Sequence, residues 1–397
     1  MSERRSVTKK MREEYQRAGR KEKKALVNQL LRLHGYGRQH AARMLRGAYV
    51  HHPGTKRKRQ RRYGREVHEV LRRVWHIYDH ICGKKLAACM SEAVGKLTVH
   101  GELQATAEQR AQLQTMSAAT IDRLLATDRA KVSLKSRART QPGSMLKHRV
   151  PVRTHQEWGN AVPGEAQMDL VGHDGGNARG DFNHTLDVTD VATGWTETRA
   201  VLNKAQVWVL EQLKDIRSSF PFLITDLHSD SGGEFINHHL DAYAKASGVK
   251  VTQGRTGKKN DNCYVEEKNW SIVRRLVGYG RYEGADDCTL LNALYRQSRL
   301  YTNFFIPVAK LQSKERIGSR TVKRYDKPRT PYQRVLASAH VSEEKKRALR
   351  QLYARLNPAE LKRRITQLQN QLLQRAMTNH RTAANLAAAV AASGVAA

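Results

Sequence analysis

Cysteine is scarce in this chain of 397 residues. The four present, Cys82, Cys89, Cys263 and Cys288, are scattered and never form a C-x-x-C pair, which excludes a disulfide framework and the usual structural zinc sites. His76 and His80 precede Cys82 and Cys89 at a spacing that fits no zinc pattern, so these read as helix-packing thiols and solvated histidines. No run approaches the roughly 18 consecutive apolar residues of a membrane span, and the opening MSERRSVTKKMREEYQR lacks the apolar core of a secretory signal. The expectation is a soluble, cytoplasmic protein without a membrane partner. Acid is also in short supply. Lys and Arg total 71 against 37 Asp and Glu, a net charge of +34, and such an excess seeks a polyanion, nucleic acid before acidic substrates or anionic membranes.

The charge lies in blocks. Residues 1–150 carry 35 basic and 12 acidic side chains, residues 151–306 carry 17 and 20, and residues 307–397 carry 19 and 5. Two basic flanks bracket a nearly neutral middle, the pattern expected if DNA is gripped at the ends and chemistry is done in the centre. The length itself suggests two to four domains.

The N-terminal third reads as all-helical, with two helix-turn-helix regions. In the first, over 1–64, KEKKALVNQLLRLHG places Leu26, Leu30 and Leu33 at helical spacing, Gly35 and Gly37 break the helix, and RQHAARMLRG resumes with Ala41, Ala42 and Leu45 inward. The basic run Lys56, Arg57, Lys58, Arg59 then reads as a phosphate or minor-groove strap. The second region, 65–130, ends in MSAATIDRLLATDRAK, where Ser117 caps a helix, Ile121, Leu124 and Leu125 face inward, and Thr120 and Arg123 are left outside as DNA contacts. An ordinary helical bundle with a solvated basic face is the competing reading. Residues 131–160 read as a basic linker.

From 161 to 306 the pattern switches to β/α alternation. AQMDLVG, NHTLDVTD and GWTETRAVL read as three successive strands, FLITDLHSD and VKVTQG as two more separated by helices, and further helices start near Tyr264 and Asp287. A mixed five-stranded sheet covered by helices follows, consistent with a ribonuclease-H-like α/β core. Asp169, between Met168 and Leu170, is costly in a strand unless it points into a site. Asp230 ends the fourth strand, and the Gly232-Gly233 pair beyond it opens a turn at the strand's carboxyl edge. Glu266 lies near the start of a helix whose inward stripe is Val265, Asn269, Ile272 and Leu276.

Between Asp230 and Glu266 lie 35 residues, and with the strings HSDSGGEF and VEEKN this spacing resembles the DDE catalytic core of retroviral integrases and bacterial insertion-sequence transposases. Asp169, Asp230 and Glu266 fill the three carboxylate places, and Asn269 the place three residues on. The resemblance implies a transposase that binds the ends of its insertion sequence as a homo-oligomer. It would cut and join double-stranded DNA by in-line phosphoryl transfer with two Mg²⁺ or Mn²⁺ ions held by the three carboxylates. The His-His-Cys-Cys zinc module of retroviral integrases is absent from the sequence, as is a G-x-x-x-x-G-K-[ST] loop, so the transposases with helix-turn-helix N-termini are the nearer pattern. The rival reading is a catalytically inactive DNA-binding regulator derived from such an enzyme.

Several neighbours stay open. Glu267 adjoins Glu266, which the spacing prefers. Asn269 is grouped with the DNA-contacting residues, as are Lys258 and Lys259, which either touch phosphate or lie in a solvated loop. Asp187, Asp190 and Asp226 are expected in outward or turn roles, His228 in an ordinary buried one, and Trp270 in the core. HDGGNARGDF at 173–182 is either a flap or a long turn. After the core, 307–340 reads as a basic DNA-contacting segment, irregular or a small β element. In 341–397, two helices precede an Ala-rich tail, the second with Leu361, Ile365, Leu368 and Leu372 on one stripe that either pairs subunits or packs on its own chain.

Overall fold

The structure is a computed structural model that describes residues 2–47, 62–132, 158, 161–230, 235, 238–255 and 259–393. The strap Lys56–Arg59, Lys58 included, lies outside the described residues, and so do Lys258 and the side chain of Lys259. The chain divides into two compact units, 1–62 and 63–397.

The first unit is three helices, α1 (Ser2–Arg17), α2 (Arg20–His34) and α3 (Arg38–Arg46), around a small core of Met11, Val27, Leu30, Ala41 and Leu45. Gly35 in the left-handed region closes α2, as the Gly35 and Gly37 break foretells. Residues 2–17 form a further helix, in keeping with the all-helical reading, and one expectation changes: Leu33 is 54% exposed, because Val27 takes the inward place beside Leu30.

The second unit joins everything else. Helices α4 (Arg65–Ile77), α5 (Gly83–Val99), α6 (Ala107–Gln114), α7 (Ala118–Leu124) and α8 (Ala126–Ala130) precede the sheet strands β1 (Glu165–Gly172), β2 (His184–Asp190) and β3 (Thr196–Val201). Then follow α9 (Gln206–Ser219), β4 (Asp226–Ser229), α10 (His238–Ser247), β5 (Lys250–Gln253), α11 (Cys263–Lys268), a π-helical stretch (Asn269–Arg274), α12 (Arg275–Val277) and α13 (Gly284–Phe305). The hairpin β6 (Leu311–Ile317) and β7 (Arg320–Tyr325) leads to α14 (Pro331–Ala337), α15 (Glu343–Arg355) and α16 (Pro358–Ser393).

The segment 65–130, expected as a separate domain, is not one. Leu71, Trp75, Leu86, Leu97, Leu113 and Ile121 belong to the same continuous core as the sheet residues Met168, Leu186 and Leu227. Helix pattern alone cannot show which other element covers an apolar face. Leu361, Ile365 and Leu372 are likewise buried, and α16 packs on α13, so that stripe serves its own chain.

The sheet order is β3-β2-β1-β4-β5, with β1–β2 and β2–β3 antiparallel and β1–β4 and β4–β5 parallel. This is the mixed sheet of a ribonuclease-H-like core, and helices cover both of its faces, so β2 and β3 are buried at every residue instead of alternating. The outer edge of β3 would be an open ladder. Helix α13 closes it with two asparagines: Asn292 bonds both the N–H and the C=O of Ala200, and Asn303 those of Thr196. Buried Glu197 adds ion pairs to Arg299 of α13 and to Arg199.

Gly164 starts β1 at φ +112°, where a Cβ would come within 2.5 Å of Leu223 O. Its N–H donates to Asp190, which also accepts from the N–H and hydroxyl of Thr193. Asp190 is therefore a turn residue as expected, though fully buried. The segment 173–182 is a clamped turn, since the Arg281 guanidinium donates to the carbonyls of Asp174, Asn177, Arg179 and Asp181. Among the described residues no helix is long and apolar enough to cross a membrane.

Candidate active site

Asp169 sits in the middle of β1, the strand that joins the antiparallel and parallel halves of the sheet. Its Oδ1 accepts from the Leu170 N–H at 2.8 Å, and its Oδ2 from Asn269 Nδ2 at 2.6 Å. Burial, reinforced by the charge on Asp230 and further by Glu266, pushes the Asp169 carboxyl up to about 7. Asp230 follows β4 directly, at the carboxyl edge of a strand parallel to β1, and both Asp230 and Glu266 are exposed. That combination sets two solvent-exposed acids beside one half-buried and hydrogen-bonded acid.

The helix bearing Glu266 is docked on β1 by polar contacts. Gln167, fully buried and two residues before Asp169 on the same strand face, accepts through Oε1 from the N–H groups of Tyr264 (2.9 Å) and Val265 (3.3 Å). These are orphan donors of the first turn of α11, so Gln167 caps that helix from the sheet. Its Nε2 donates to Asp261 O at 2.9 Å, and Asn262 Nδ2 to Met168 O at 3.3 Å. Asp261 is in turn gripped by Arg255 through the backbone N–H, Nε and Nη2. The same cue that singles out Asp169, a polar residue inside an apolar strand, is present at Gln167.

Beyond Lys268 the helix widens into the π stretch, a feature frequent at functional sites. The extra residue per turn shifts the buried set to Val265, Ile272, Val273 and Val277 in place of Leu276, and it turns Asn269 onto Asp169. Asn269, expected among the DNA-contacting residues, is half-buried and donates to the first carboxylate. Trp270, expected in the core, is 48% exposed on the same outer face as Glu266, one turn on. Glu267 pairs with buried Lys268 at 2.8 Å. Burial works against the Glu267 charge, yet Lys268 and Lys85 hold its carboxyl below the ordinary value, a structural ion pair that separates it from Glu266.

Asp187, expected to face outward, is fully buried directly opposite Asp169 in the β1–β2 register. Burial raises its carboxyl well above the usual range against the pull of Lys268. His228 is buried with Nδ1 at 2.9 Å from the Thr252 hydroxyl and its ring edge-on to Trp158. Asp226 is half-buried at the start of β4. In the helical part, Ser117 caps α7 by accepting from the Thr120 N–H, as expected, while Thr120 is half-buried and its hydroxyl accepts from Ser117 and from exposed Arg123. His76 Nδ1 stands 2.7 Å from His80 Nε2 on α4 and the turn after it, and burial lowers the His80 pKa to about 4.

Among the described residues no three His, Cys, Asp or Glu side chains already stand close enough together to hold an ion. The donor chemistry nonetheless fits a hard divalent cation. Asp169, Asp230 and Glu266 offer only carboxylate oxygens, and the charges that raise the Asp169 pKa are those of the other two acids, a repulsion that a cation would relieve.

The sheet order is that of a ribonuclease-H-like core, with one acid half-buried on its central strand, another directly after β4 and a third on α11. The chain is 39% identical over 322 residues to the uncharacterized protein y4rM of Sinorhizobium fredii (strain NBRC 101917 / NGR234), covering 81% of this chain and 92% of that one, and it belongs to the same family. No protein-family model matches the sequence. Among solved structures it is similar to the catalytic core domain of BIV integrase, with 20% identity, 45% of this chain and 97% of that one covered, and a TM-score of 0.31. It is also similar to the HTLV-2 integrase catalytic core domain in complex with magnesium, with 13% identity, coverages of 37% and 91%, and a TM-score of 0.29.

Proposed function

We propose that this chain is a DDE-type transposase that cuts and joins double-stranded DNA by in-line phosphoryl transfer. The observation that carries the reading is the placement of Asp169 on the central strand, Asp230 directly after the parallel strand β4 and Glu266 on the helix that Gln167 docks against β1, at the residue spacing of the motif. Mg²⁺ or Mn²⁺ ions bound by these three carboxylates would supply the charge that activates an attacking oxygen and stabilises the leaving one. The protein's own part is positional. Gln167 and Asn262 hold the start of α11 against β1, Asn269 fixes the Asp169 carboxylate, and Asp230 and Glu266 would complete the set of oxygens around the ions.

The basic flanks grip the DNA in this reading. Thr120 and Arg123 on α7, the strap Lys56 to Arg59, and Lys258 with Lys259 before α11 are the proposed contacts, and the ends are paired by an oligomer. The test is incubation of the purified chain with end-labelled duplex from the flanks of its coding sequence in Mg²⁺ or Mn²⁺. Metal-dependent nicks and joined products are expected. Tight binding without either product would replace the transposase with a DNA-binding regulator.

A further inference from the structure

Strands β6 and β7 pair with each other across Ser313–Arg324, Lys314–Lys323, Glu315–Val322, Arg316–Thr321 and Ile317–Arg320. All of their residues are exposed except half-buried Ser313. The root of this ribbon is clamped. Val308 and Arg329 exchange backbone bonds of 2.8 and 3.2 Å, the Lys310 N–H donates to Asp326 Oδ1 at 2.7 Å, and Arg334 holds Asp326 Oδ2 at 2.7 Å. Lys310 Nζ also donates to Ala192 O in the turn between β2 and β3, referencing the root to the sheet that carries Asp169.

Directly opposed residues share a face, so Lys314, Lys323 and Arg316 project together on one side with Thr321. None of the three pairs with a carboxylate among the described residues. Like charges directly opposite destabilise a hairpin, and a two-stranded ribbon is marginal even without them. One lysine per edge would suffice to prevent edge-to-edge pairing; a cluster on one face asks for an anion. Tyr325, on the same face as Lys323, has Lys84 of α5 5.9 Å from its ring, which adds a further cation beside the cluster.

We propose that the β6–β7 ribbon is a rigid clamp for duplex DNA, whose Lys314, Arg316 and Lys323 face holds the phosphate backbone of the duplex presented to the carboxylates. A two-stranded ribbon also matches the width of the major groove, about 12 Å. An acidic protein is the other class of partner such a face would suit, and the fit of a two-stranded ribbon to the major groove favours DNA. The proposal rests on the functional reading above.

The test is duplex binding by the full chain as a function of salt, comparing wild type with the triple variant Lys314→Gln, Arg316→Gln, Lys323→Gln. Three lost phosphate contacts should reduce the slope of log affinity against log salt by about 2 to 3, and affinity on the order of 100-fold at physiological salt. The single variant Lys323→Gln should reduce the slope by about 1, and serves if the triple variant misfolds. The opposite-face pair Arg320→Gln, Arg324→Gln should lose much less than the triple variant. Unchanged slope and affinity in the triple variant, or an equal loss from the opposite face, would overturn the clamp. So would loss of binding to an acidic polypeptide with duplex binding intact. If wild type binds and cuts DNA while the ribbon variants match it, only the clamp fails; if wild type neither binds nor cuts duplex, both readings fail.

Discussion

Gln167→Leu isolates the docking of α11 on β1 without touching any candidate metal-holding group. The side chain is fully buried, accepts from the Tyr264 and Val265 N–H groups and donates to Asp261 O. Tyr264 is partly exposed and its N–H can find water, whereas Val265 and Asp261 are buried, and each loses its bond to Gln167 away from solvent. At about 1 to 3 kcal/mol for each orphan, offset in part by the apolar replacement, the loss is about 3 kcal/mol. For a unit of this size that is roughly a 5 °C fall in thermal midpoint. The freed helix start displaces Glu266, and about 1 Å of misplacement costs about 100-fold in turnover. Gln167→Glu keeps the acceptor at the helix N-terminus, where negative charge is favoured, and should lose less in the midpoint. Thermal unfolding and metal-dependent cleavage would be read on both variants. Wild-type unfolding and wild-type cleavage by Gln167→Leu would refute the capping role.

Asn269→Ala removes the 2.6 Å bond to Asp169 and should weaken Mn²⁺ binding 10- to 100-fold, the usual range for a residue that orients a ligand, with the fold intact by circular dichroism. Asp190→Ala strips the Gly164 N–H and the Thr193 N–H and hydroxyl of their acceptor and should destabilise the second unit by about 2 to 3 kcal/mol in urea unfolding. Glu102 is held down to about 2 by hydrogen bonds from Arg363 and Asn357, which tie the end of α5 to the start of α16. A depressed folded pKa contributes stability above the unfolded value near 4.5 that is lost as pH falls through about 2, here about 1 kcal/mol after solvent screening. Arg363→Ala should remove that part of the acid sensitivity in unfolding measured between pH 5 and 2.

The sheet was legible because each strand carries its own apolar run, and Asp169 stood out because a charge inside such a run has to have a use. The all-buried pattern of β2 and β3 was not, since strict alternation is the sign of one wet face, and α13 removes it by packing on β3 and sealing its edge. Asp187 was misplaced for the same reason: only the register sets it opposite Asp169 in a dry layer. The spacing located Glu266 and Asn269 and set Asn269 inward, but a period of 3.6 cannot show a π stretch, so Leu276 was placed on the buried stripe and Trp270 in the core. Whether α4 to α8 stand alone or share the core of the sheet depends on contacts between distant segments, which no local pattern records.

The most direct measurement is cleavage of end-labelled flanking duplex in Mn²⁺ by wild type, Asp230→Asn, Glu266→Gln and Glu267→Gln, with duplex binding measured in parallel. Cleavage and joining should vanish in Asp230→Asn and Glu266→Gln while binding persists, and should survive in Glu267→Gln, whose carboxylate serves Lys268. Retained cleavage in Glu266→Gln, or its loss in Glu267→Gln alone, would contradict the assignment of the three carboxylates.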